Sequence, residues 1–263
     1  MIKITSASNQ LIKDVCLLKK ASERKKQGLF LVDGFREINL ASEAGAEIVK
    51  LLYCPEYIGD NNKRTNLGLL KDEQLFELSK NVFEKICFKE NPDGFLAIIK
   101  IKEKEIGELK LKDDALVVVL EGVEKPGNLG AIIRTAAAVG VTAIIVNESQ
   151  TDIYNPNVIR ASEGQVFSQN IIIVSQKETV NWLKDNKIMS FGAATTGAKK
   201  YTECDYSGRI AIILGSESDG LSDFWLKSAN KLIKIPMKGK IDSLNVSVSA
   251  AIILFEAVKQ REK

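Results

Sequence analysis

Five short runs in the second half of the chain constrain its fold more than any other feature: ALVVVLEG from Ala115, TAIIVNE from Thr142, NIIIVS from Asn170, IMSFGAA from Ile188 and RIAIILGSE from Arg209. Each is apolar and rich in β-branched residues, and a helical or loop-like segment separates it from the next. A strand with one wet face alternates apolar and polar residues; strands that are apolar throughout belong to a parallel sheet covered by helices on both faces. The runs therefore predict a parallel-sheet α/β domain over residues 113–263. Such sheets place ligands just past the carboxyl ends of their strands, so the loops that follow the runs are where function is to be sought.

The first hundred residues read as a smaller α/β domain. NQLIKDVCLLKKASERKKQG spaces Leu11, Ile12, Val15 and Leu18 for a helix stopping at Gly28. LFLVDGFREINLASEAGAEIVKLLYCP follows as a strand, a turn at Asp33-Gly34, a helix closing at Gly45 and a second strand ending before Pro55. The pattern returns more weakly in QLFELSKNVFEKICF and the strand GFLAIIKIK. Residues 101–112, IKEKEIGELKLK, are charged and weakly periodic, as in a linker or an exposed edge.

Composition removes whole classes of chemistry. The chain has no histidine, and so lacks the commonest general base and the most frequent zinc ligand. Reaction chemistry must rest on Asp, Glu, Lys, Arg, Ser or Cys, or on a cofactor that brings its own reactivity. Cys16, Cys54, Cys87 and Cys204 form no CxxC pair and read as reduced thiols, so no metal is expected. No run approaches the ~18 apolar residues of a membrane span, and the first residues lack the apolar core of a signal peptide. A cytoplasmic protein with no membrane association is expected. Within residues 1–26 the bases Lys3, Lys13, Lys19, Lys20, Arg24, Lys25 and Lys26 outnumber the acids Asp14 and Glu23, which suits either a polyanion partner or a solvated helix face.

Three strand ends are unusually polar. After the first run, VVVLEGVEKPGNLGAIIRTAAAVG supplies a glycine-rich loop and a helix beginning near Asn128, with Arg134 further along it; Asn128 is either a helix cap or a site residue, and Arg134 either a solvated charge or a functional one. Glu148, ending the next strand, keeps a nicotinamide enzyme open, although the spacing of Gly122, Gly127 and Gly130 is not GxGxxG. In IILGSESDGLSD, Gly215 and Gly220 bracket Glu217, a poor place for an idle carboxylate. In IPMKGKIDSLNVSVSAAIILFEAV, Asp242 or Ser243 is the expected cap of the last helix, which would set Ser243 above Ser247 and Asn245 above Ser249.

NLGAIIRTAAAVG, LGSESDGL and IPMKGKIDSLNVSVSAAIILFEAV resemble, in order and separation, the three motifs of the SpoU (TrmH-type) RNA ribose 2′-O-methyltransferases. NPNVIRASEGQVF is similar to the segment following their first motif. RKKQGLFLVDGFREINLASEAGAEIVKLLYC is similar to the substrate-binding domain of the ribosomal RNA branch. Asp33, Glu163 and Ser249 depart from the residues common in relatives, and Glu163 sets a charge near an RNA-facing segment.

The resemblance implies an RNA-binding domain over residues 1–100 and a catalytic domain with a C-terminal trefoil knot over 113–263, working as a homodimer. It implies S-adenosylmethionine against Thr195, Leu214, Gly215, Ile235, Met237 and Leu244, and catalytic roles for Asn128, Arg134, Glu217, Ser243 and Asn245. The substrate is then RNA, foremost 23S ribosomal RNA. A transfer RNA substrate and an inactive RNA-binding protein of the same fold remain alternatives.

Overall fold

The computed structural model describes residues 2–58, 70–195 and 199–262. The chain divides into two compact units: Met1–Lys102 with Tyr154–Ser168, and Glu103–Ile153 with Gln169–Lys263.

In the first unit, among the described residues, strands β1 (Ile2–Ile4), β2 (Leu29–Asp33), β3 (Ile48–Tyr53), β4 (Leu75–Leu78) and β5 (Phe95–Lys100) form one sheet in the order β1-β4-β3-β5-β2. β5 runs antiparallel to β2 and β3, and the other pairs are parallel. The expected strand, turn and helix after Gly28 are present as β2, α3 (Phe35–Glu43) and β3.

The single helix expected before Gly28 is instead two, α1 (Gln10–Leu17) and α2 (Ala21–Gln27). Gly28 ends α2 in the left-handed conformation, φ +65°, as a glycine stop should. The break is stabilised by Arg24, which is 2% exposed and donates through Nη1 to the carbonyls of Leu18 and Lys19, each at 2.9 Å. Carbonyls at a helix end need donors, and a buried guanidinium from the next helix supplies them here. One of the seven amino-terminal bases is therefore an interior structural group and not part of a basic surface. Remaining helices of this unit are α4 (Pro55–Ile58), α5 (Lys80–Ile86), α7 (Pro156–Ala161) and α8 (Gln165–Ser168). Leu31, Leu52, Phe83, Leu96 and the α1 residues Ile12 and Val15 share its core.

The second unit holds the parallel sheet. The five apolar runs become β6 (Leu116–Glu121), β7 (Ala143–Asn147), β8 (Ile171–Ile173), β9 (Met189–Ala193) and β11 (Ile210–Leu214). Two more strands, β10 (Lys199–Lys200) and β12 (Lys231–Lys234), complete the order β10-β12-β9-β11-β6-β7-β8, every pair parallel. Every residue of β6, β7 and β11 is buried, the reason those segments carry no polar alternation. The helices are α6 (Pro126–Ala138), α9 (Gln176–Asp185), α10 (Asp223–Ser228) and α11 (Val246–Arg261), and α6 packs on α11. From β6 the chain adds β7 and β8 on one side, then returns to build β9, β10, β11 and β12 on the other. The neighbours β6 and β11 thus flank the point where the strand order reverses, the position where open α/β sheets bind ligands.

Among the described residues no helix is long and apolar enough to cross a membrane, and no group of three or more Cys, Asp or Glu is placed to hold a metal ion.

Candidate active site

α6 begins at Pro126, two residues before the expected start, with Lys125 at its cap. Proline suits this first helical position because its fixed φ is already helical and the N–H it lacks would have no partner there. Asn128 consequently lies inside the first turn and does not cap the helix. Its side chain is left to reach outward, and Nδ2 donates to Glu217 Oε1 at 2.5 Å.

Glu217 stands at the head of a pinched loop after β11. Ser216 and Gly220 close the loop with paired backbone hydrogen bonds of 3.0 and 3.2 Å, and Gly220 has φ +70°. A Cβ on Gly215 would lie 2.0 Å from the carbonyl atoms of Gly220. The two glycines therefore serve the loop's own closure. The closure aims Glu217 at the start of α6, where it also accepts from the N–H groups of Glu124 (3.1 Å) and Lys125 (3.4 Å). Burial pushes the Glu217 carboxyl up, but the hydrogen bonds from Asn128 and from backbone N–H groups outweigh it and hold the group below the usual carboxylate range. Glu217 is thus an ionised acceptor at neutral pH.

The last helix starts at Val246, capped by Asn245 and not by Asp242 or Ser243. Asn245 Oδ1 accepts from Ser247 N at 2.9 Å and Ser247 Oγ at 2.6 Å, while Nδ2 donates to Asn128 Oδ1 at 3.0 Å. Asp, Ser and Asn cap about equally well, so local signals cannot choose among them. The contact to Asn128, 117 residues away, favours Asn245. Ser243 precedes the helix and is exposed, so the expected Ser243–Ser247 stacking does not form. Ser247 joins Asn245 instead, and Ser249 is tied to it by the backbone bond Ser249 N to Asn245 O, 2.9 Å.

These bonds form a directed relay, Asn245 to Asn128 to Glu217, in which the Asn128 amide has one orientation only: oxygen toward Asn245, nitrogen toward Glu217. Arg134 is not part of it. Six residues along α6 from Asn128, it is about 9 Å further along the axis and turned by about 120°, with its side chain exposed.

The residues expected to hold a cofactor leave one edge of the sheet. Leu214 ends β11 and Gly215 follows it, both buried; Thr195 follows β9 and is exposed; Ile235 and Met237 follow β12 and, with Leu244, are half-buried on irregular backbone. Of GAATTG, which begins at Gly192, Thr196 and Gly197 lie outside the described residues. β12, β9 and β11 are adjacent and parallel, so these loops are neighbours. Apolar side chains on irregular backbone suit S-adenosylmethionine, whose purine needs apolar faces and whose ring nitrogens and ribose need backbone partners.

Two acids escaped the sequence reading. Glu124 accepts from Ser218 Oγ at 3.1 Å beside the Glu217 loop. Glu121, ending β6, is 6% exposed and accepts from the backbone N–H of Ser222 at 2.9 Å and from Gln176 Nε2. The one available signal was an acid closing an otherwise apolar run. Of the departures, Asp33 Oδ2 accepts from the N–H groups of Phe88 (2.6 Å) and Lys89 (3.1 Å), and Glu163 is paired with Arg36 at 3.1 Å within the first unit.

Polar side chains converging past the strand ends at the reversal point define a ligand-binding or catalytic protein of the doubly wound α/β class. Residues 115–255 match the SpoU rRNA Methylase family and residues 9–97 the MRM3-like substrate binding domain. The chain belongs to the SpoU rRNA Methylase family. It is 30% identical to the 23S rRNA (uridine(2479)-2′-O)-methyltransferase of Streptomyces viridochromogenes, over 98% of this chain and 92% of that protein. A solved RNA 2′-O ribose methyltransferase superposes over the whole of both chains, with TM-score 0.85 and 37% identity. The AdoMet-bound rRNA methyltransferase from Sinorhizobium meliloti gives TM-score 0.90 at 27% identity, over 98% of this chain and 97% of that one.

Proposed function

We propose that this chain is a methyltransferase that uses S-adenosylmethionine to methylate a ribose 2′-hydroxyl in 23S ribosomal RNA. The observation that carries the reading is the relay from Asn245 through Asn128 to an ionised Glu217, built where a parallel sheet binds its ligand. The matched family, the named activity of the Streptomyces relative and the AdoMet-bound neighbour support it. A nicotinamide enzyme draws no support from them.

When bound, S-adenosylmethionine supplies an electrophilic methyl group on a positively charged sulfur. The chain's part is to hold the ribose oxygen in line and to manage its proton. Arg134 hydrogen-bonds the oxygen as charge develops on it and anchors a neighbouring phosphate; a guanidinium carries only donors and has no site for the proton, which leaves to solvent. Asn128 and Asn245, fixed by the relay, orient the ribose, and Ser243, two residues before Asn245, helps to position it. Glu217 accepts from ribose hydroxyl or amine groups. Leu214, Gly215, Ile235, Met237, Leu244 and Thr195 hold the cofactor.

The working protein is a homodimer. α11 supports this by leaving Val248 45% and Phe255 55% exposed, an apolar face that suits a second copy of the chain. Arg134, pointing away from Asn128 on the helix that packs against α11, then serves the partner's pocket. The same reading threads the segment after β12 through a trefoil knot, one of the rare exceptions to unknotted topology. The four cysteines, all free, fit a reducing cytoplasm.

The test is incubation with labelled S-adenosylmethionine and unmodified 23S RNA, then mapping of 2′-O-methyl positions. One methylated ribose supports the proposal. Cofactor binding without transfer to naked RNA or to ribosomal particles refutes the substrate, and no cofactor binding refutes the activity.

A further inference from the structure

We propose that Glu121 is a positioning residue that holds the Glu217 loop in register, an inference resting on the methyltransferase reading of that site. Five of the six residues of β6 are apolar, and packing alone gives no reason for an acid at its end. Glu121 is nevertheless buried, and among the described residues its partners are the Ser222 N–H on Oε2 and Gln176 on Oε1, with no ion pair. A buried carboxylate without a countercharge is costly, and it persists where its hydrogen bonds fix something.

Here they fix the far end of the loop. The near end is set by β11, whose last residue Leu214 pairs in register with Leu120 of β6. The loop then runs through the Ser216–Gly220 closure that carries Glu217, and returns at Ser222 to the residue directly after Leu120. Both ends of the loop are thus tied to consecutive residues of one central strand. Loss of the second tie frees the loop to pivot about β11, and Glu217 then loses its aim at Asn128, Glu124 and Lys125.

Glu121→Ala should lower kcat on the order of 10²-fold, the effect of a misplacement of about 1 Å, while KM for RNA and Kd for S-adenosylmethionine stay near wild type. Glu121→Gln, whose carbonyl oxygen still accepts from Ser222, should restore most of kcat. Ser222→Pro removes the same bond from the donor side, and the native φ of −64° already suits proline. It should reproduce the kcat loss even where Glu121→Ala fails to fold. Combined with Glu217→Gln, neither change should lower kcat further, because both act through Glu217. Hydrogen exchange of residues 216–222 should quicken in Glu121→Ala and Ser222→Pro. That readout is independent of catalysis, so a wild type inactive on 23S RNA refutes the functional reading without deciding this one. Unchanged exchange in 216–222, unchanged kcat in Ser222→Pro, or losses that multiply with Glu217→Gln overturn the inference.

Discussion

Asn245 does two jobs with one side chain, and substitution can separate them. Its oxygen caps α11 through Ser247, and its nitrogen orients Asn128. Asn245→Ala removes both: loss of an N-cap costs about 1 kcal/mol, and loss of a hydrogen bond about 1 kcal/mol more. The sum, about 2 kcal/mol, corresponds to a Tm lower by roughly 4–8 °C at the 2–4 °C per kcal/mol of a chain this size. Asn245→Ser restores the cap but has no amide to donate to Asn128. It should recover about half the stability and little of the activity, leaving methyl transfer reduced by roughly 10²-fold in both variants, the scale of a mispositioned group. Thermal melts and single-turnover transfer of labelled methyl to unmodified 23S RNA give the two readouts on one set of proteins. If Asn245→Ser regained activity in step with stability, Asn245 would be a cap and nothing more, and the relay would have no part in function.

Arg134→Ala should keep cofactor binding by calorimetry and lose transfer by about 10²–10³-fold; mixing it with Glu217→Gln chains should regain activity if Arg134 serves the partner's pocket, and no regain places it in its own. Gly215→Ala sets a Cβ against the Gly220 backbone, so it should lower stability by about 1–3 kcal/mol in urea unfolding, whereas Gly127→Ala, which meets nothing within 4 Å, should be neutral or stabilising by up to about 1 kcal/mol. The folded state holds the Glu217 carboxyl below its ordinary value, so its contribution to stability is complete above the unfolded pKa of about 4.3 and fades as pH falls through the lower folded value. The difference in urea midpoint between wild type and Glu217→Gln should accordingly be constant from pH 8 to about 5 and shrink in more acid solution.

The parallel sheet was readable because β6, β7 and β11 are buried on both faces, and burial on both faces writes itself as an uninterrupted apolar run. The same logic failed at short edges: β1 and β10, of three and two residues, are defined by the strands beside them more than by their own side chains. Asn128 and Glu217 could be singled out as polar residues after buried strands, but their bond spans 89 positions and leaves no mark on local spacing. The break between α1 and α2 was hidden for a related reason. Leu18 continues the helical periodicity across it, and Arg24 reads as one more surface base until its two carbonyl partners are seen. The start of α11 was misplaced because three acceptable caps stand within four residues and a distant amide selects among them.

That selection also sets an order in time. A chain made at about 5–20 residues per second presents Asn128 roughly 6–23 s before Asn245, 117 residues later, can reach it. Glu217, an acceptor only, can orient the Asn128 amide once it has emerged, but the relay lacks its third member and α11 its cap until Asn245 follows. The relay is therefore complete only after Asn245 has emerged. A nascent chain thus presents the whole of its first compact unit, Met1–Lys102 with Tyr154–Ser168, before the relay can form.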